Sequence, residues 1–236
     1  KFMKILISGG AGFLGSEIVN KIVNNKNMDV TVIDNLSSGY LDRIKKNINR
    51  IKFINADICS INKLKLPRFD WIIHSSALAP LPDNQCNHFE SIVTNIAQCG
   101  SIVDFCIKSG TKNIIFFSSS AIYEKQIIKP FDENITKPPV LMYATTKYLA
   151  EKYFDSVVKS YNINVISLRL ANIYGRNQDY FRKQTPFLGY LIKNTLNNKK
   201  LTLFAKGNYK RDYLFIDDLI NLIFKILKFK KFNRKH

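Results

Sequence analysis

Tyr143 and Lys147 are the two residues whose types and spacing most directly suggest chemistry. Residues four positions apart share one face of a helix, so the Lys147 ammonium group would lie near the Tyr143 phenol oxygen. A neighbouring cation favours phenolate over phenol and would lower a pKa that is ordinarily about 10. The pair therefore predicts a tyrosine that acts as a general base at neutral pH. Taken alone, the spacing is frequent and is more typical of an exposed helix pair.

A glycine-rich turn near the N-terminus is a second candidate site. The apolar run Lys4–Ile7 leads into the segment Ser8–Ser16, which is followed by apolar residues at helical spacing. This order predicts a strand, a loop and a helix. Gly9 can take a tight turn, Gly12 lets the backbone approach a pyrophosphate, and Gly15 lets the helix pack close to the strand. The segment predicts a phosphate-binding turn at a helix N-terminus, with a glycine turn of some other α/β protein as the alternative.

Carboxylates follow the second and third predicted strands. Asp34 ends the apolar run Val30–Ile33, at a position where a carboxylate accepts the adenosine ribose hydroxyls and repels a 2′-phosphate. This position predicts NAD in preference to NADP, with the polar turn Asn35–Gly39 lying over the adenosine. Asp57 can accept from the adenine amino group or cap the segment that follows it, and the sequence leaves both roles open.

Small residues follow the fourth predicted strand. Ser76 and Ala77 come after the run Trp71–Ser75 and leave room for the pyrophosphate and the nicotinamide ribose. His74 is interpreted as a packed strand-end residue rather than a catalyst. The fifth predicted strand, Asn113–Phe117, runs into the serine-rich stretch Ser118–Tyr123, so polar groups are expected at the carboxyl end of this strand as well.

Strands and helices alternate along the chain, with helices expected over residues 41–48, 89–109 and 143–160. This order predicts an α/β fold, a Rossmann-type doubly wound parallel sheet with right-handed crossovers. We expect an NAD-binding Rossmann domain over residues 1–170. Residues 171–236 are expected to form a partial substrate-binding lobe, interleaved with the last Rossmann elements.

The composition is ordinary apart from a formal net charge of +18. Lysine and arginine are spread along the chain and accompany abundant asparagine and isoleucine, so compositional drift is favoured over a nucleic-acid partner. The basic, aromatic stretch 225–236 is the exception: a membrane-surface or nucleic-acid patch, or a helix with an unpartnered apolar face. The cysteines and histidines lack metal-ligand spacing, so no metal site is expected. No run of about eighteen apolar residues occurs, which predicts a cytoplasmic protein with no membrane insertion.

Taken together, these motifs resemble the extended short-chain dehydrogenases/reductases, and within them the NAD-dependent nucleotide-sugar epimerase/dehydratase branch, in a UDP-glucose 4-epimerase-like pattern. The resemblance covers almost the whole chain in the right order. The segments that carry it are Gly9–Gly15, Asp34–Gly39, Asp57–Ile58, Ser118–Tyr123, Tyr143 with Lys147, Arg169–Gly175 and Arg211–Leu219.

The resemblance implies roles for individual residues. Tyr143 would be the base, and Lys147 would bind the nicotinamide ribose and lower the tyrosine pKa. Ser119 would hydrogen-bond the reacting sugar hydroxyl, because the family's catalytic serine or threonine lies four residues before the tyrosine that is here Tyr123. The expected NAD-binding residues are Gly9, Gly12, Phe13, Leu14, Gly15, Asp34, Asn35, Ser37, Asp57, Ile58, Ser76, Ala77, Asn95, Ser118, Tyr143 and Lys147.

The resemblance also implies a substrate site. The expected substrate-binding residues are Ser119, Ser120, Asn172 and Arg211. Asn172 and Arg211 match positions that grip the nucleotide diphosphate, and the guanidinium fork suits two phosphate oxygens. A salt bridge from Arg211 to Asp212 or Asp217 is the alternative.

Departures from the family pattern narrow the expected reaction. Dehydratases of the family place acids before the tyrosine of the serine run, where this chain has Ser120 and Ala121. Epimerisation of a UDP-hexose or similar nucleotide sugar through a transient 4-keto intermediate is therefore favoured. The alternatives are a reductase/dehydrogenase or dehydratase of the same family and a non-catalytic NAD-binding protein. Gln98 and Glu124 stand where the family commonly has glycine.

Two expectations concern the whole molecule. The family's substrate lobe normally continues for several tens of residues beyond the position of Asp218, so we expect a truncated or reduced lobe. The family often dimerises through the helices that here begin near Phe89 and Tyr143, which implies a homodimer.

Overall fold

The computed structural model of the chain describes residues 2–79, 87–126, 130–134, 137–179, 185–203, 207–208 and 210–229. The strands are β1 (Met3–Ser8), β2 (Met28–Asp34), β3 (Lys52–Asn55), β4 (Trp71–His74), β5 (Asn113–Ser119), β6 (Asn164–Leu170), β7 (Asn172–Tyr174) and β8 (Tyr213–Phe215). The α-helices are α1 (Phe13–Ile22), α2 (His88–Ile92), α3 (Gln98–Ser109), α4 (Met142–Ser160), α5 (Phe187–Leu196) and α6 (Ile216–Leu227).

The main sheet has six parallel strands in the order β3-β2-β1-β4-β5-β6. The strand order reverses direction between β1 and β4, so the helices that connect the strands cover both faces. The prediction of a Rossmann-type doubly wound parallel sheet is confirmed. The carboxyl ends of β1 and β4 lie side by side at the reversal, which is where ligands of open α/β sheets bind.

Alternation along the strands divides the hydrophobic core into two layers. On β1, Ile5 and Ile7 pack in one layer with α1 and α6, and Leu6 packs in the other with α3 and α4. All three side chains are fully buried. A parallel strand covered on both faces reads as a continuous apolar run, which is why β1 has no polar alternation.

Helix α6 belongs to the core of the main sheet although it comes late in the chain. Ile216, Leu219 and Ile223 are fully buried in the same layer as α1. Directly before α6, the short strand β8 pairs in parallel with β7 in a separate two-stranded sheet. The end of the described chain therefore interleaves with the Rossmann elements.

Two predicted helices differ in detail from the structure. The helix expected over 41–48 is a pair of 3₁₀ turns, Leu41–Arg43 and Lys45–Arg50, neither of which contains a buried residue. The apolar contacts of this segment come from Ile44, which lies between the two turns and is fully buried, and from the partly buried Ile48. The helix expected over 89–109 is broken by a π-helical turn, Val93–Ala97, which connects α2 to α3. Such turns occur often at functional sites.

Several expectations fall partly outside the described residues, among them the basic stretch 225–236 beyond residue 229, Cys86 and His236. Across the described ranges, no helix is long and apolar enough to cross a membrane. Over the same ranges, no three histidine, cysteine or acidic residues are grouped so as to hold a metal ion.

Candidate active site

The glycine turn joins β1 to α1 at the edge where the strand order reverses. Gly9 has a φ of +71°, and a Cβ added there would lie 2.7 Å from the Ser76 Cα atom. A Cβ on Gly15 would overlap the Gly9 carbonyl oxygen. Gly12 is the N-cap of α1, which begins with no side-chain cap. The turn is therefore shaped for close approach of a ligand, and the first N–H groups of α1 are left for an anion.

Asp34 is held rigidly at the end of β2. Its Oδ2 atom accepts from the Ala11 N–H group and its Oδ1 atom from the Leu36 N–H group, each at 2.8 Å. The residue is only 8 % exposed. Each oxygen retains a lone pair, so the carboxylate can still accept ribose hydroxyls from a fixed position.

Two adjoining cavities open beside Asp34 and share Gly9, Asp34, Asn35, Ser76 and Gln98. The larger encloses about 480 Å³ up to its open mouth. We call the two together the adenosine cleft. Other predicted cofactor residues that line it are Gly12, Ser37, Ile58 and Ala77. Sequence reasoning did not assign Gln98, Glu90 and Thr94 to this cleft, although Gln98 was visible as a departure from the family pattern.

Asp57 combines a cap with a contact to the polar turn after β2. Its Oδ1 atom accepts from the Cys59 N–H group at 2.7 Å, which caps the 3₁₀ helix Ile58–Lys63. Its Oδ2 atom accepts from the Asn35 side chain at 3.3 Å. The capping role is confirmed, whereas contact with adenine stays a prediction.

Asn95 lies in the π-helical turn and is buried. Its Oδ1 atom accepts from the Leu78 N–H group at 2.9 Å, and its Nδ2 atom donates to Thr146 Oγ1 at 3.1 Å. The side chain thus connects the loop after β4 to α4. These contacts, which the sequence did not indicate, hold Leu78 and Thr146 in place beside the predicted cofactor site.

Ser118 directs its hydroxyl to a buried ion pair. The hydroxyl donates to Glu151 on α4, and Arg169 of β6 holds the same carboxylate with an N–O distance of 2.8 Å. Arg169 also donates to the Tyr123 hydroxyl at 3.0 Å. The pKa of Arg169 is raised by these hydrogen bonds although burial opposes them. The Ser118 side chain therefore ties β5 to α4, and it does not line the adenosine cleft.

Ser119, Tyr143 and Lys147 come together at the carboxyl end of β5. The Ser119 side chain lies close enough to the Tyr143 phenol to lower its pKa. Lys147 is 2 % exposed, and its Nζ atom donates to the Phe117 carbonyl oxygen at 2.8 Å. The same Nζ atom lies 6.0 Å from the centroid of the Tyr143 ring. The three residues that were predicted to be catalytic thus form one cluster.

The electrostatics of this cluster differ from the expectation that Lys147 lowers the tyrosine pKa. The pKa of Tyr143 is raised, because burial disfavours the phenolate, and only the Ser119 side chain acts in the opposite direction. Burial also lowers the pKa of Lys147 to about 8. Desolvation outweighs the cation here because the ammonium group is itself buried and directed at a backbone carbonyl.

The predicted diphosphate-binding residues lie next to the two-stranded sheet. Asn172 begins β7, and its Nδ2 atom donates to the Asp212 carbonyl oxygen at 3.1 Å. Arg211 is exposed one residue earlier in the chain than Asp212. Asp217, one of its alternative partners, is paired with Arg176. The structure brings Asn172 close to the chain at Arg211 and leaves the arginine accessible.

Comparison with known proteins identifies the family. The family model described as NAD dependent epimerase/dehydratase family matches residues 5–236. The chain belongs to this family. Its cofactor is NAD, and the glycine turn, the uncapped start of α1 and the anchored Asp34 fit that cofactor.

The relatives of this family member are nucleotide-sugar enzymes. A putative UDP-glucose 4-epimerase of Methanocaldococcus jannaschii is 32% identical over 220 residues, which are 91% of this chain and 70% of the relative. A dTDP-D-glucose 4,6-dehydratase of Mus musculus is 26% identical over 95% of this chain and 64% of its own. The structure of UDP-N-acetylglucosamine 4-epimerase from Methanobrevibacter ruminantium M1, in complex with UDP-N-acetylmuramic acid, superposes with a TM-score of 0.89 at 27% sequence identity. The match covers 98% of this chain and 74% of that epimerase chain.

Proposed function

We propose that this chain is an NAD-dependent 4-epimerase of a nucleotide sugar. The observation that carries the proposal is the cluster of Ser119, Tyr143 and Lys147, with no acid at positions 120 and 121. Ser120 and Ala121 occupy the positions at which dehydratases of the family place acidic residues. The nearest acids in sequence are engaged elsewhere: Glu124 accepts backbone N–H groups before α4, and Glu151 is paired with Arg169.

In this mechanism the residues of the chain handle the proton. NAD, when bound, would supply reversible hydride transfer at the sugar C4 carbon. The Tyr143 phenolate oxygen accepts the proton of the 4-hydroxyl group and later gives it back. Ser119, whose side chain lies beside Tyr143, orients that hydroxyl group. The charged form of Lys147 favours the phenolate whenever the two groups approach.

The substrate-binding role of Asn172 and Arg211 is part of the proposal. Both would hold the diphosphate of the nucleotide, and the exposure of Arg211 supports this role. The identity of the sugar is left to the assay. The homodimer that the resemblance implied and the cytoplasmic location predicted from the lack of a long apolar run stay predictions. Exposed apolar side chains on α2 and α4, namely Phe89, Ile92 and Leu149, support a contact with a second copy.

The proposal is tested by incubating the protein with NAD and a panel of UDP-, GDP- and dTDP-sugars and following epimers by NMR. Tyr143→Phe is expected to reduce turnover by about 10³-fold or more, because it removes the proton acceptor. NAD affinity of the variant should stay within about twofold, since the ring is retained. Tyr161→Phe, which alters an exposed tyrosine on the same polypeptide, serves as the matched control.

Each alternative gives a different product. A 4-keto-6-deoxy sugar would identify a dehydratase, and stoichiometric NADH would identify a dehydrogenase. NAD binding without turnover of any sugar in the panel would favour the alternative that the chain is a non-catalytic NAD-binding protein. Full activity of Tyr143→Phe would remove this tyrosine from its role.

A further inference from the structure

Gln98 is a buried polar residue in the wall of the adenosine cleft. It is the first residue of α3, directly after the π-helical turn, and it is 4 % exposed. It lines both cavities of the cleft, together with Asp34 and Ser76. In the family that the chain resembles, glycine is common at this position, whereas this chain carries a glutamine.

A chain of hydrogen bonds orients the Gln98 carboxamide. Burial lowers the pKa of His74 to about 3, so its ring is neutral and its Nδ1 atom can accept from the Ser8 hydroxyl at 2.8 Å. The Ser76 Oγ atom lies 3.2 Å from the Ser8 Oγ atom and 3.3 Å from His74 Nδ1, and its hydroxyl donates to the Gln98 Oε1 atom at 2.7 Å. The carboxamide oxygen is therefore engaged, and the nitrogen lies on the other side of the group.

The Gln98 Nε2 atom carries two N–H groups that are available as donors. Among the hydrogen bonds formed within the described residues, Ser76 is the one partner of the Gln98 side chain, and it binds the oxygen. Because the nitrogen is accessible from the cleft, a ligand or water can complete its hydrogen bonds. The space beside it is the cleft bounded by Asp34, Asn35 and Ile58.

We propose that Gln98 donates its side-chain N–H to an acceptor atom of the adenosine half of NAD. Adenosine offers ring nitrogens and ribose oxygens as acceptors, and the carboxylates near the cleft can serve only its donors. Gln98 thus complements Asp34: the carboxylate accepts from the ribose hydroxyls, and the amide donates. The proposal concerns cofactor binding alone and does not depend on which sugar reaction the protein catalyses.

The test measures the dissociation constants of NAD and of ADP-ribose for the cofactor-free protein by calorimetry. Gln98→Met keeps the volume and loses the donor, and it is expected to weaken both ligands about five- to tenfold. Gln98→Glu keeps the acceptor for Ser76 and also loses the donor. It is expected to weaken binding further, because its charge lies beside Asp34 and faces an anionic ligand.

The matched control is Thr94→Val in the wall of the same cleft. The Thr94 hydroxyl donates to Glu90 at 3.0 Å, so its loss is expected to change NAD affinity by less than about twofold. Thermal unfolding checks that each variant is folded, and Gln98→Glu replaces Gln98→Met if the latter is not. Unchanged or tighter NAD binding in the folded Gln98 variant would overturn the proposal. Weakened NAD with unchanged ADP-ribose would also overturn it, because the contact would then lie on the nicotinamide half.

Discussion

At the scale of single residues, burial governs the titration of the catalytic cluster. It raises the pKa of Tyr143 and lowers that of Lys147 to about 8. Below pH 8 the lysine is predominantly protonated, so a cation is present at neutral pH even though it is buried. Deprotonation of Tyr143 therefore has to be driven by the charges and hydrogen bonds that surround it once cofactor and substrate are in place.

Burial of His74 makes the stability of the fold depend on pH. Its pKa falls from 6.5 to about 3 on folding, because the ring is buried between Ser8 and Phe116. The unfolded chain therefore binds this proton first as the pH falls, and the native state loses stability between about pH 6.5 and pH 3. At pH 5 the loss from this residue is roughly 2 kcal/mol.

The prediction for His74 is that urea unfolding of the wild type at pH 7 and pH 5 gives free energies that differ by roughly 2 kcal/mol more than those of His74→Asn. The comparison within each protein cancels the packing cost of the substitution. His88→Asn is the control, since that residue is exposed at the start of α2. An equal pH dependence in wild type and His74→Asn would contradict the interpretation.

At the scale of elements, the start of α4 determines where Tyr143 lies. The helix begins at Met142 with no capping side chain of its own and no acid in its first turn. Glu124, which directly follows the 3₁₀ turn Ser120–Tyr123, accepts from the N–H groups of Val140 and Leu141. This carboxylate links the Ser119 segment to the helix that carries Tyr143.

Removal of Glu124 is predicted to weaken that link. Glu124→Ala leaves two N–H groups without their acceptor and removes a negative charge from the positive end of α4, which lowers the unfolding free energy by about 1 kcal/mol. Glu124→Gln retains an acceptor oxygen and should lose less than half as much. Chemical denaturation of the three proteins measures the difference, and a Glu124→Ala variant as stable as the wild type would refute the capping role.

At the scale of the whole molecule, the last described helix completes the first domain. Helix α6 fills the layer beneath β1 together with α1. Arg176, which follows β7, pairs with Glu17 of α1 and Asp217 of α6. The C-terminal elements of the described chain are therefore packed and ion-paired with the N-terminal elements.

The consequence for stability is measurable with a pair of substitutions in α6. Ile223 is fully buried, and Ile223→Ala is expected to destabilise the protein by about 3 kcal/mol through lost burial and the cavity left behind. Leu222, its neighbour, is 42 % exposed, and Leu222→Ala should cost less than about 0.5 kcal/mol. If both variants unfold at the same denaturant concentration as the wild type, α6 is not part of the cooperative core.

The sequence by itself determined the doubly wound sheet, the glycine turn, the position of Asp34 and the pairing of Tyr143 with Lys147. These features depend on local periodicity and backbone geometry, which a single chain segment carries within itself. The N-cap role of Asp57 was predictable because it also depends on local geometry alone.

Only the tertiary structure decided how those residues interact across the fold. A π-helical turn interrupts the helix before Gln98, and the Ser118 hydroxyl donates to Glu151. The Glu124 carboxylate accepts a backbone N–H at the start of α4. The tertiary structure also reversed the expected direction of the Tyr143 pKa. Desolvation and long-range hydrogen bonding depend on which distant segments pack together, and sequence spacing does not contain that information.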